Sequence, residues 1–225
     1  MNPKVSHQGI AAPRAVLWDM DGTLVDSGEY HYQAWRETMA GLGRELERDE
    51  FAATFGQRNE AILRRYIGPQ VTAEEIQQIG DAKEERYRAR VCASGIAALP
   101  GVRQWLARLG ADGWRQAIAS SGPRLNSETI IAALGLDGTF DTVIAAEDVI
   151  HGKPHPEVFL AAAARLGVAP SRCVVVEDAP MGIEAARRGG MRSLGVLNTH
   201  PHLDADRVAR SLEELEPDAF ERLLA

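Results

Sequence analysis

The sequence predicts an α/β fold, a doubly wound parallel sheet interrupted once by an inserted α-helical body. An apolar run, Ala15 to Trp18, ends abruptly in Asp19-Met20-Asp21-Gly22-Thr23, as a buried parallel strand does when it delivers polar groups at its carboxyl end. Between Glu29 and Leu99 no strand-like alternation occurs and helical spacings dominate. From Pro100 onward short apolar segments alternate with helical ones, the texture of a parallel sheet with crossover helices. The expected organisation is a loose leader over 1–14, a core formed by 15–27 with 100–225, and a helical cap over 28–99. The hinges fall near Ser27 and Leu99.

Each element follows from its own pattern. After Ser27, the spacing of Tyr32, Trp35, Met39 and Leu42 before Gly43 predicts a helix. Shorter helices are expected over Asp49 to Thr54 and over Glu60 to Ile67, the latter stopped by Gly68 and Pro69. A longer one is expected from Ala73 to about Ala93, carrying Ile76, Ile79, Tyr87 and Val91. In the second half, Val102, Trp105, Leu106 and Leu109 mark a helical face. Trp114 to Ala119 then reads as a strand ending at Ser120, Ser121 and Gly122. Asn126 to Leu134 is helical up to Gly135, Thr142 to Ala146 is a strand, and Pro156 to Leu166 is helical. Cys173 to Val176 is a strongly apolar strand, followed by a helix over Ile183 to Arg188. Arg192 to Val196 closes the alternation, and a last helix starts near Pro217.

With 225 residues, 45% of them hydrophobic and 25% charged, the chain can bury an ample core. A net charge of −7 without a basic run argues against nucleic acid or an anionic membrane as partner. A small anionic substrate remains compatible if positive charge is local to the site. Cys92 and Cys173 are too few for a disulfide framework, which points to a reducing cytoplasm. The first fourteen residues lack a signal-peptide run, and no stretch approaches eighteen apolar residues. A cytoplasmic monomer is the expectation.

Reactive groups sit at four strand ends or the loops after them: Asp19 with Asp21, Ser120, Lys153, and Glu177 with Asp178. Each has an ordinary explanation alone, such as a helix cap for Ser120, a solvated charge for Lys153 or a turn residue for Asp178. Gathered at the carboxyl ends of parallel strands, they describe a ligand crevice. The carboxylates there are hard oxygen donors suited to Mg²⁺, and Gly22 permits a sharp turn close to an anion.

The stretch from Ala15 to Leu197 resembles the haloacid dehalogenase superfamily, in its β-phosphoglucomutase-like branch, on four ordered motifs. They are DMDGT with its continuation LVDSGEYHYQAW, IASS, GKPHPE, and VVVEDAPMGIEAA. The resemblance implies a Rossmann-like core with a cap and Mg²⁺-dependent phosphoryl transfer through an aspartyl-phosphate. It implies Asp19 as nucleophile, Asp21 as general acid and base, and Lys153 and Ser120 on the phosphate. The metal is expected on Asp19, Asp178 and the carbonyl of Asp21, with Glu177 and Thr23 behind it. Gly22 and Ser121 are expected at the phosphate, with backbone N–H groups near Met20 and Asp21. His31, which matches a cap-hinge histidine, either touches substrate, orients Asp21 or packs at the hinge. The cap residues Arg58 and Asn59 are expected to reach the substrate.

One departure bears on the reaction. β-Phosphoglucomutases carry a lysine just before the cap glycine and an arginine three residues after it, holding a distal phosphate. Here Phe55 precedes Gly56, and Gln57, Arg58 and Asn59 follow. A phosphatase acting on a small phosphorylated sugar or polyol is therefore expected, with a phosphosugar mutase as the alternative. A phosphoacceptor signalling module is the alternative of another class. His151 and His155 lack a metal-ligand partner, and His200 and His202 are expected in an exposed loop.

Overall fold

The protein is described here by a computed structural model covering residues 12–225. Its centre is a parallel sheet ordered β3-β2-β1-β4-β5-β6. Strand β1 (Ala15–Trp18) lies between β2 (Arg115–Ala119) and β4 (Cys173–Glu177), outside which run β3 (Thr142–Ile144), β5 (Arg192–Val196) and β6 (Arg207–Ala209). All four residues of β1 are fully buried because helices cover both faces, which is why the strand reads as a continuous apolar run. On one face lie α5 (Val102–Ala111), α6 (Arg124–Leu134) and α9 (Ala219–Leu223); on the other lie α7 (Glu157–Leu166) and α8 (Pro180–Arg188). The direction of strand progression reverses between β1 and β4, the switch point where open α/β sheets place ligands.

Four helices interrupt the sheet between β1 and β2: α1 (Gly28–Gly41), α2 (Arg48–Ala52), α3 (Asn59–Tyr66) and α4 (Ala73–Ser94). Trp35, Met39, Leu46, Ile62, Leu63 and Tyr66 form a hydrophobic cluster of their own. Ala34, Tyr87 and Val91 instead join the cluster above the sheet. The two connections meet, since Val25 bridges Ala98 and Leu99 N–H donates to the Leu24 carbonyl at 2.9 Å. Thr72 and Glu75 cap the start of α4 reciprocally, and Gly95, at φ 71°, ends it.

Helix ends shift by one to three residues from the sequence reading, and two differences are larger in consequence. The strand expected over Thr142 to Ala146 stops at Ile144, because Ala146–Asp148 coil into a 3₁₀ turn in which Asp148 accepts from the Ala145 N–H at 2.8 Å. The alternation does not close at Val196. Strand β6 adds in parallel, with Leu194 opposite Arg207, anchored by Asp206 accepting from the Ser193 N–H at 2.8 Å. Most of the expected leader falls outside the described residues. Its last residue, Arg14, is tied down: its carbonyl accepts from Arg115 N–H at 2.9 Å and its guanidinium lies 4.4 Å over the Trp114 ring.

Candidate active site

The sheet ladder runs one residue past two of its strands and thereby fixes two functional groups. Asp19 N–H donates to the Val176 carbonyl and Ser120 N–H to the Ile144 carbonyl, both at 3.0 Å. Asp19 thus projects at the switch point beside Glu177, which ends β4, and Asp178, which follows it. Lys153 arrives from the loop after β3, through a cis Lys153-Pro154 bond, and its ammonium donates to Asp19 Oδ1 at 2.5 Å and Glu177 Oε1 at 2.6 Å. The second Glu177 oxygen accepts from the Ala179 N–H at 2.8 Å.

Burial pushes the Asp19 carboxyl up to about 8, although Lys153 pulls it down. Burial, with Glu177 and Asp19 close by, takes Asp178 to about 9. The Lys153 ammonium is disfavoured by burial, but its two carboxylate partners outweigh that and hold it above the ordinary lysine value. Two carboxyls driven to hold protons mark a place short of positive charge. One carboxylate oxygen from each of Asp19, Glu177 and Asp178 lies within 4.8 Å of the others, a donor set that fits a hard divalent cation such as Mg²⁺. Both Glu177 oxygens are held by charged or backbone N–H donors, whereas Asp178 accepts only from the Thr23 and Thr199 hydroxyls, which can turn away, and Asp19 accepts from Lys153 on Oδ1 alone.

Asp21 faces the hinge. Its Oδ1 accepts from Ser27 Oγ at 2.5 Å and Tyr87 Oη at 3.4 Å and lies 3.3 Å from His31 Nε2. His31 Nδ1 lies 2.7 Å from Lys83 Nζ, and an ammonium donating there leaves the proton on Nε2, aimed at Asp21. Burial raises the Asp21 carboxyl, but His31, Ser27 and Lys83 outweigh it and leave Asp21 below the usual aspartate range. The chain of polar groups continues to Glu84, which accepts from Lys83 at 3.0 Å, Asn59 Nδ2 at 2.9 Å and Asn126 Nδ2 at 2.7 Å. Asn126 belongs to α6, so this chain crosses from the helices inserted after β1 to a helix packed on the sheet.

A cavity of about 400 Å³ lies between cap and sheet, lined among others by Asp19, Asp21, Ser120, Ser121, Lys153 and Asp178. Trp35, Phe51, Phe55 and Ile62 form its apolar cap side. Gly22, expected at the phosphate, and Thr23 are not on its wall. They back Asp178: Thr23 Oγ1 donates to Oδ1 at 3.3 Å, and a Cβ on Gly22, at φ 91°, would come within 2.0 Å of Oδ2. His31 and Asn59 line the cavity, but both are held in the polar chain. The Arg58 guanidinium donates to the core carbonyls of Ala146, Val149 and Ile150.

His202 is exposed as expected, whereas His200 is half-buried with Nδ1 3.1 Å from the Asp178 carbonyl oxygen. Thr199 Oγ1 beside it donates to the Asp178 carboxylate. These two were not legible, nor were Lys83 and Glu84, which sit in a charged helical stretch resembling a solvated face. Gly182 was also missed: a Cβ there would come within 1.8 Å of Glu177 Oε1.

A family model described as a haloacid dehalogenase-like hydrolase matches residues 13–190. The chain is 34% identical to the fructose-1-phosphate phosphatase YqaB of Escherichia coli, over 80% of this chain and 95% of that one. It is 30% identical to the β-phosphoglucomutase of Bacillus subtilis, over 90% and 91%. Among solved structures, CbbY from Rhodobacter sphaeroides in complex with phosphate superposes with a TM-score of 0.83 at 30% identity, covering 93% of this chain and 99% of that one.

Proposed function

The chain belongs to the haloacid dehalogenase-like hydrolase family, and on that premise we propose that it is an Mg²⁺-dependent phosphatase of a small sugar or polyol phosphate, acting through an aspartyl-phosphate on Asp19. The observation that carries the reading is Asp19 itself. It is a buried carboxylate at the end of the central strand, held 2.5 Å from Lys153, with Asp21 two residues on and turned toward the hinge.

Hydrolysis of phosphate monoesters calls for rate accelerations up to about 10²¹-fold, which no lone carboxylate supplies. Asp19 attacks phosphorus, and the ester P–O bond breaks as Asp21 gives its proton to the leaving oxygen. Asp21, now a carboxylate, takes a proton from water, whose oxygen attacks phosphorus and breaks the bond to Asp19, releasing inorganic phosphate. Ser27 and His31 hold Asp21 ionised in the present arrangement, the form that accepts a proton. A bound phosphate dianion pushes Asp21 the other way, toward the acid it must be in the first half. Lys153 and Ser120 stabilise the charge on the transferring group. Asp19, Asp178 and the carbonyl of Asp21 would hold Mg²⁺, which screens the phosphate from the acidic cluster and stabilises charge on its oxygens.

Hydrolysis is favoured over sugar-phosphate isomerisation because Phe55 stands before the cap glycine and the Arg58 guanidinium is engaged by core carbonyls. The test is phosphate release from a panel of phosphorylated sugars, polyols and nucleotides, with Mg²⁺ or with EDTA, by wild type and Asp19→Asn. Metal-dependent release lost in the variant is the expected result. Isomerisation of a glucose 1-phosphate anomer without release would make the enzyme a mutase. A cytoplasmic monomer belongs to the same proposal, supported by unpaired Cys92 and Cys173; a dimer in sedimentation equilibrium would correct it. So does a cap over 28–99 that moves on the segments near Ser27 and Leu99.

A further inference from the structure

The loop that delivers Lys153 is clamped from two sides. From below, Glu157 at the start of α7 accepts from the Ile150 N–H at 3.0 Å and the His151 N–H at 2.9 Å. From above, Arg58 of the cap donates to the carbonyls of Ala146, Val149 and Ile150, each at 3.0 Å. Those carbonyls belong to the first residue of the 3₁₀ turn and to the two residues after it, and among the described loop and turn contacts no backbone N–H donates to them. One planar guanidinium satisfies them together, one terminal nitrogen donating to Ala146 and Val149 and the other to Ile150, a spread that the single nitrogen of a lysine does not reproduce.

Gly152 leaves room for the approach. Its missing side chain lets the arginine lie flat on the loop: a Cβ there would stand 3.0 Å from Arg58 Nε and 3.1 Å from Cδ. Arg58 Nε is buried without a hydrogen-bond partner, so every hydrogen bond that holds the arm to the loop is made at its tip. The next residue, Asn59, joins the cap to the core a second time through Glu84 and Asn126.

We propose that Arg58 is a positioning residue that couples cap closure to the phosphate clamp. Its guanidinium orders the 146–152 segment, so Lys153 is seated on Asp19 only when the cap is shut. Phosphoryl transfer is thereby confined to the closed, water-poor state. The inference rests on the reading of Lys153 as a phosphate-binding group. It assigns Arg58 to the core loop and not to the substrate.

The test compares wild type, Arg58→Ala, Arg58→Lys, Gly152→Ala and the Arg58→Ala/Gly152→Ala pair. Substrates are the best sugar phosphate of the panel and p-nitrophenyl phosphate, a small aryl ester without the sugar's polar groups for a cap arginine to hold. Amide hydrogen exchange over 146–153 is followed in parallel and needs no turnover. A misplaced Lys153 lowers kcat for both substrates by roughly 10- to 100-fold with a smaller change in KM. Gly152→Ala, which crowds the arm without removing a charge, gives a smaller loss in the same direction, the double variant is no worse than Arg58→Ala, and Arg58→Lys stays near alanine. Exchange over 146–153 quickens in every variant. A KM increase confined to the sugar phosphate, with kcat unchanged, would make Arg58 a substrate ligand and overturn the proposal, as would unaltered exchange. Absence of wild-type turnover on both esters would remove the phosphatase reading alone, because the exchange measurement still decides the coupling.

Discussion

Lys83→Met tests whether the polar chain behind Asp21 is held by its buried ion pair. The Lys83 side chain is 2% exposed and that of Glu84 5%, so neither charge is relieved by water. Removing one partner of a buried pair costs about 3–5 kcal/mol because the other charge is left uncompensated. Glu84 keeps the Asn59 and Asn126 amides, and methionine fills the space against Trp35 and Tyr87. The low end, about 3 kcal/mol, is therefore expected, which at ~2–4 °C per kcal/mol for a chain of this size lowers Tm by about 6–12 °C. The pH dependence follows from Glu84. Burial raises its pKa, but Lys83, His31 and the two amides outweigh it and leave it below the ordinary 4.5. A depressed carboxyl contributes stability in full above its unfolded pKa and loses it as pH falls through the lower folded value. The gap between wild type and variant should thus be widest above about pH 5 and narrow in more acidic buffer. Urea unfolding followed by tryptophan fluorescence, with Trp35 buried in the cap, reads it. Lys83→Met/Glu84→Gln should recover at least half the loss. A single-variant loss under about 1 kcal/mol, or a double variant less stable than the single, would refute the argument.

Asp19→Asn should lose phosphate release by at least about 10⁴-fold while keeping its fold, since an amide at that position cannot form the acyl phosphate; circular dichroism and turnover together check it. Asp178→Asn should raise the Mg²⁺ concentration for half-maximal activity by roughly 10- to 100-fold, read from a metal titration. Gly22→Ala combines φ 91° with a Cβ 2.0 Å from Asp178 Oδ2, and should lower both Tm and Mg²⁺ affinity. Gly182→Ala, whose Cβ would meet Glu177 at 1.8 Å, should reduce kcat through displaced Lys153. Wild-type Tm and Mg²⁺ affinity in Gly22→Ala, or wild-type kcat in Gly182→Ala, would show that the acidic cluster tolerates rearrangement.

The sequence by itself determined the first five strands of the sheet, most helices and the residues at those strand ends, because each rests on local physics. Fully buried strands need continuous apolar runs, amphipathic helices need spacings of three and four, and Gly or Pro breaks both. Motif residues follow as well, since Asp19, Ser120 and Asp178 are set by the strands they terminate. What escaped belongs to tertiary structure. Strand β6 is three residues long with Val208 exposed, too short for periodicity to register. Lys83 and Glu84 lie in a charged helical stretch, and only their partners, including Asn126 on another helix, bury them. Arg58 was legible as a cap residue near the site, yet its acceptors lie 88 to 92 positions along the chain and are backbone carbonyls, which carry no residue identity. Spacing along a chain encodes which face a side chain takes within its own element. Which distant backbone meets that face is decided only when the elements pack.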